Sequence, residues 1–295
     1  MEPLSLLILL VLGTAAGAIN AAVGSGSLLT LPVLIALGVP PGTAVRTNTL
    51  GILFSTIGSV TGYRKEIAAD RAGLGPVSVA ALIGALAGAC LLLVSPSSAL
   101  DVVVPVLIVL ALVLVIFQKR ITRAIATRQQ RKGRTAATSD GTGEGTAEGT
   151  AEGSVEGTGE GAREGAAAST EVHPYRRAPL VASMGAASLY GGYFTAAQGI
   201  IYMAILGSLS GRSLGAVNPA KNWLSLIVNA SAVAVYLAAH LLWGVEIIWV
   251  ASAAIAIGAL AGGFFGAHLA KKLPDAVLRG AIVVVALIAL IRQVL

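Results

Sequence analysis

"AINAAVGSGSLLTLPVLIALGVPP", from Ala18 to Pro41, is apolar over enough residues to cross a bilayer, yet Gly24, Ser25, Gly26 and Ser27 interrupt its middle. After Gly26 the apolar run to Val39 is only some 14 residues, about 21 Å of helix at ~1.5 Å per residue, too short for ~30 Å of hydrocarbon. It reads as a half-helix behind a break. Ser25, Gly26 and Ser27 then form an N-terminus at membrane depth, with free backbone N–H groups and the positive end of the helix dipole. Such an end attracts anions. Close helix packing is the other reading that Gly and Ser allow. A dinucleotide fingerprint needs a preceding strand and a βαβ unit, and "GSGS" has neither.

The rest of the chain shares this character. Its 295 residues are 56% hydrophobic and only 12% charged, and its mean hydropathy of +0.84 is far above that of soluble domains. Apolar runs of about 20 residues recur, each the length of a membrane-crossing helix; a β-barrel would show short alternating strands. The expected class is an all-α polytopic membrane protein. Leu4 to Leu12 lacks a positive n-region and leads into more membrane sequence, so it is not read as a removed signal peptide. The formal charge of +6 does not imply nucleic acid, because the basic residues cluster in short loops beside apolar runs. Cys90, the single cysteine, can build neither a disulfide nor a cysteine metal site within one chain and reads as a small buried hydrophobe.

Between Gly133 and Ala168 the composition changes to Gly, Thr, Glu and Ala, which reads as a disordered linker. It separates two halves that resemble each other. "IGALAG" occurs at Ile83 to Gly88 and again at Ile257 to Gly262. The break at Gly24 to Ser27 is matched by Ala196 to Gly199, "AVRTNTL" from Ala44 by "AVNPAKN" from Ala216, and "PSSALD" from Pro96 by "PDAVLR" from Pro274. The expected organisation is a first transmembrane repeat over 1–118, a basic-flanked cytoplasmic linker over 119–177 and a second repeat over 178–295. Each repeat is a broken-helix hairpin plus three spans: 4–38, 43–63, 73–95 and 98–118, then 178–210, 214–240, 246–270 and 275–294.

A hairpin returns to its starting side, so a half with three further spans ends on the opposite side and the second repeat must be inverted. The charges agree. Arg64, Lys65 and Arg71, then Lys119 to Arg134 with Arg176 and Arg177, and finally Lys271 with Lys272 are expected on the cytoplasmic side of the membrane. Ser95 to Ser98 and His240 to Glu246 contain no Lys or Arg, as external loops should, which puts both termini outside. Inverted repeats of this kind are typical of secondary transporters, with substrate bound between the halves near the midplane.

Two polar clusters follow the breaks: Arg46, Thr47, Asn48 and Thr49 in the first half, and Asn218, Lys221 and Asn222 in the second. An intramembrane cation is functional by default. Arg46 and Lys221 lie near the starts of spans, so snorkelling is the other reading for them. No Asp or Glu accompanies them in these segments, and their amide and hydroxyl neighbours suit an oxyanion shell. The candidate substrate-binding set is Ser25, Gly26, Ser27, Arg46, Thr47, Asn48, Thr49, Gln198, Gly199, Asn218, Lys221 and Asn222. Asn229, two turns beyond Asn222, reads as a further ligand or a helix–helix hydrogen bond. The "GALAG" segments, and Gly262 with Gly266, read as packing surfaces.

"GSGSLLTLPVLIALGVPPGTAVRTNTL" from Gly24, "NPAKN" from Asn218 and "IGALAGGFFGAHLAKKLP" from Ile257 together resemble the TauE/SafE sulfite exporter family, also called the toluene sulfonate uptake permease family. The resemblance covers both halves and excludes the linker. It implies a polytopic carrier of sulfite, sulfonates or other sulfur-containing organic anions. Ser25 and Ser27 stand where the family usually has glycine, Arg46 stands at a small-residue position, and Thr49 stands where a lysine can occur. Lys221 and Asn222 match the second-half pattern.

The function expected is export of a small oxyanion by alternating access, an anion channel or an uptake carrier being the alternatives. No catalytic residue, metal or cofactor is expected: His173, His240 and His268 lie in the linker, a loop and a helix end, with no shared ligand spacing. The expected partners are a small anionic substrate and the lipid bilayer, with a homodimer left open.

Overall fold

The computed structural model describes residues 2–22, 24–139 and 173–269. Among them it is helical throughout, without strands. Helix α1 (Pro3–Ala22) and the short α2 (Ser27–Ala36) form the first hairpin, followed by α3 (Pro41–Gly62), α4 (Arg64–Ala69), α5 (Arg71–Val94) and α6 (Ser97–Ser139). A 3₁₀ turn (Pro174–Arg176) leads into the second hairpin, α7 (Ala178–Phe194) and α8 (Gln198–Ser210), then α9 (Leu214–Trp243) and α10 (Trp249–Leu269). The expected span over 275–294, with Lys271 and Lys272, lies outside the described residues, as does 140–172 of the linker.

Five of these helices are long and apolar enough to cross a membrane: α1, α5, the Ser97–Gln118 part of α6, α9, and the Trp249–Gly266 part of α10. Helix α3 has the length, with 22 residues, but Thr47, Asn48, Thr49, Ser55, Thr56 and Ser59 make it more polar, and all six are buried. It is a central helix, packed on α1, α9 and α10. Pro40 and Pro41 start it, their fixed φ suiting a helix entry whose first N–H needs no partner.

The breaks fall where the sequence interrupts its apolar runs. Gly24 adopts φ +85°, a left-handed conformation glycine takes without steric cost. In the second hairpin the same reversal is made by Thr195 (φ 61°) and Ala197 (φ 59°), where a Cβ makes it strained. With 10 and 13 residues, α2 and α8 are about 15 and 20 Å long, half-helices on the scale of the bilayer.

Helices of one half pack on those of the other. α1 lies along α10 and α5 along α7, held by small residues. A Cβ at Gly84 would meet the Gly185 carbonyl, one at Gly88 the Leu189 carbonyl, one at Gly258 the Leu10 carbonyl and one at Gly262 the Thr14 carbonyl. Both copies of "IGALAG" are therefore close-approach surfaces, in agreement with the packing reading. The register rises together in each pair: Gly13 faces Ile255 and Gly17 faces Ala259, so α1 and α10 run parallel.

Two expectations change. Cys90 is exposed on the outer side of α5, because an unbroken apolar run does not reveal which face is buried. The last apolar span of the first half ends at Gln118, as expected, but the helix does not: α6 continues through Ser139, past Gly133, where the low-complexity composition begins. Hydropathy falls after Phe117, but Lys119 to Ser139 contains no proline and is rich in Arg, Ala and Gln, which keep helix propensity high.

Candidate functional site: a polar centre between two hairpin tips

The hairpin tips meet. Gly199 N–H donates to the Gly24 carbonyl at 3.1 Å, and a Cβ on either glycine would strike the backbone of the other. The Gly199 amide is therefore spent on the tip contact. Gly26 packs against the Ala16 carbonyl of its own hairpin, where no Cβ fits. Ser25 and Ser27 are buried beside it, and the Leu28 and Leu29 amides at the start of α2 donate to the Ser25 and Gly26 carbonyls at 3.2 and 2.9 Å.

Lys221 lies fully buried beneath the first tip. Its ammonium donates to the Asn20 carbonyl at 3.0 Å and the Ala21 carbonyl at 3.3 Å, at the C-terminal end of α1. That end carries the negative pole of the helix dipole, which offsets part of the charge without a carboxylate. Two of three ammonium donors are thereby used. Asn222 Nδ2 donates to the Ala21 carbonyl at 3.3 Å and to the Asn218 carbonyl at 3.1 Å. Asn20, at the edge of the quoted stretch but not singled out there, donates to Ser55 Oγ at 3.2 Å.

Higher on α3 a second polar layer faces the other tip. Thr49 Oγ1 lies 3.0 Å from Thr195 Oγ1, and Thr30 on α2 donates to Asn48 Oδ1 at 2.5 Å. Gln198 Nε2 donates to Asn229 Oδ1 at 3.1 Å, the helix–helix bond that was one reading of Asn229. Several buried polar atoms in these layers have no hydrogen-bond partner: Asn48 Nδ2, Asn229 Nδ2, Gln198 Oε1 and Ser225 Oγ. Leaving such groups unpaired costs about 1–3 kcal/mol each, so they mark a place where polar matter belongs.

Arg46 and Thr47 stand apart. Nine residues, about 13.5 Å of helix rise, separate Arg46 from Ser55, at whose level Asn20 and Lys221 meet. Arg46 Nε donates to the Glu246 carbonyl at 3.1 Å and Nη2 to Thr43 Oγ1 at 3.1 Å. Thr47 Oγ1 accepts from Ile248 N–H at 3.1 Å and its carbonyl from Ser252 Oγ at 2.9 Å. Asn218 Nδ2 donates to Tyr63 Oη at 2.9 Å, towards the opposite end of α3. His240 Nδ1 lies 2.8 Å from the Val245 carbonyl, fixing the α9–α10 loop.

At the Tyr63 end, Arg212 pairs with Asp70 at 2.6 Å and donates to Tyr175 Oη at 3.1 Å, its guanidinium over the Tyr175 ring. Burial alone would lower the Arg212 pKa, but the hydrogen bond to Asp70 and the adjacent Tyr175 outweigh it and hold it above its ordinary value. Burial pushes the Tyr175 phenol up.

A helical membrane protein whose buried cation and unpaired amides collect where two half-helices meet belongs to the structural class of solute carriers. The chain belongs to the sulfite exporter TauE/SafE family, whose model matches residues 9–292. It is also similar to a "Probable membrane transporter protein ORF9" from Sinorhizobium sp, 28% identical over 94 residues, which are 32% of this chain and 36% of that relative. The match thus spans about a third of either protein. No solved structure matches the chain.

Proposed function

We propose that the protein is a secondary transporter that exports a small sulfur-containing oxyanion, such as sulfite or a sulfonate, across the cell inner membrane by alternating access. The observation that carries this reading is Lys221: fully buried, bonded to main-chain carbonyls and paired with no carboxylate among the described residues. Its remaining donor, the unpartnered amides of Asn48 and Asn229 and the hydroxyl of Ser225, with Ser25 and Ser27 buried at the first tip, make a donor-rich shell. An oxyanion satisfies such a shell.

Two inverted repeats are part of this proposal. Its support is the exchange of packing between halves, α1 with α10 and α5 with α7, and the matched positions Thr49 and Lys221, each bonded to the hairpin of the other half. Topology follows the basic residues: Arg64, Lys65, Arg71, Arg176, Arg177 and Arg212 gather at the Tyr63 end, the cytoplasmic side in this reading, with the linker inside and the termini outside. An inside-negative potential then favours anion export by ~2.3 kcal/mol per charge per 100 mV.

A flux panel in proteoliposomes tests it, with sulfite, sulfoacetate, taurine, thiosulfate and chloride, wild type against Lys221→Ala and Ser25→Ala. Counter-flow by the wild type and its loss in Lys221→Ala is the expected result. Absence of flux for every anion, or normal flux in both variants, sinks the reading. A reporter fused in the linker and found outside the cell overturns the topology.

A further inference from the structure

Arg46 and Asn218 were expected to bind substrate, yet each points away from the polar centre into a bond that joins the two halves. They occupy matched positions, each three residues before a residue that reaches the opposite hairpin, Thr49 and Lys221. Arg46 reaches across to the Glu246 carbonyl in the α9–α10 loop, and Thr43 Oγ1, which accepts from Arg46 Nη2, donates to Glu246 Oε2 at 3.4 Å. Asn218 reaches across to the Tyr63 hydroxyl at the end of α3. Three residues of helix, about 4.5 Å, therefore separate each contact from the layer that would hold the anion.

We propose that Arg46 and Asn218 are a pair of gate residues, each closing one end of the route to the polar centre and each breaking its bond to the opposite half when that end opens. The proposal rests on the carrier reading above. With both bonds made, the conformation seen here is closed at both ends, in keeping with the complete burial of Lys221, Thr49 and Asn48. The two gates differ in construction. The Arg46 gate is reinforced at the next residue by Thr47, bonded to Ile248 N–H and Ser252 Oγ. The Asn218 gate has no such second bond among the described residues and leaves Asn218 Oδ1 buried without a partner. A buried acceptor without a donor is a standing cost of the closed state that opening relieves.

The test is sided accessibility of the centre and needs no substrate. In a Cys90→Ser background, Ser225→Cys places one thiol among the unpartnered groups, and a membrane-impermeant maleimide labels it in right-side-out and inside-out vesicles. Arg46→Ala is expected to speed labelling about tenfold from the Arg46 face alone, two hydrogen bonds being lost, and Tyr63→Phe about fivefold from the opposite face alone, one being lost. Tyr63→Phe removes only a hydroxyl, which keeps the test informative should Arg46→Ala not assemble. Equal acceleration from both faces, or none in either variant, overturns the gates. Failure here with normal sulfite counter-flow leaves the carrier reading standing; sided labelling without any anion flux leaves the gates and removes the substrate.

Discussion

The two hairpin tips perform the same reversal with different materials. The first turns on Gly24, which adopts its positive φ without strain, and faces the cationic Lys221; the second turns on Thr195 and Ala197, which pay for the same conformation, and faces the neutral Thr49. Matched positions thus keep the connection to the opposite half while differing in charge. Geometry is duplicated and electrostatics is not, so in the proposed carrier the Lys221 side is the one expected to draw an anion.

The largest effect that sharpens this contrast is expected for Lys221→Ala, with loss of about 100-fold in anion flux, ~2.8 kcal/mol at 1.4 kcal/mol per decade. Thr49→Ala, at the matched position, should cost about 1 kcal/mol, about a fivefold loss of flux; equal losses in the two variants would show that charge is not what distinguishes the tips. Next comes the tip contact itself. Gly199→Ala forces a methyl into the Gly24 backbone, and overpacking of this kind costs about 1–3 kcal/mol, read as a lower unfolding temperature in detergent. The smallest effect has the opposite sign. Ala197→Gly removes the strain at φ 59° and should stabilise by about 1 kcal/mol. Glycine already stands at the first tip, so Gly24→Ala should instead destabilise, and a stabilised Gly24→Ala variant would break the comparison.

Much of this was legible because membrane helices follow local rules. Apolar run lengths placed the helices, and glycine and serine placed the first break. The repeated "IGALAG" marked the surfaces on which the halves interlock. Lys221 and Asn222 were visible as polar groups in an apolar run. The depth of Arg46 was not legible: positions 46 and 55 share α3, and only the packing of α1 against Ser55 and of the α9–α10 loop against Arg46 separates their roles. Asn20 and Thr30 were missed for a related reason. Each finds its partner on α3, 35 and 18 residues away, and no spacing rule connects such pairs. The strain at Thr195 and Ala197 was hidden because neither residue advertises a left-handed turn.

The continuation of α6 has a mechanical consequence. Its 43 residues amount to about 65 Å, of which the apolar Ser97–Gln118 part needs about 33 Å. The remainder is a mast carrying the chain some 30 Å onward, braced where Ile125 lies against Gly207 of α8. From Ser139 the chain must return to Pro174 at the base of α7. The 34 intervening residues have a contour of more than ~110 Å at 3.3 Å each, over three times the height of the mast. That length exceeds the return distance, so in the proposed carrier a rocking of one half against the other is not limited by the number of residues between Ser139 and Pro174.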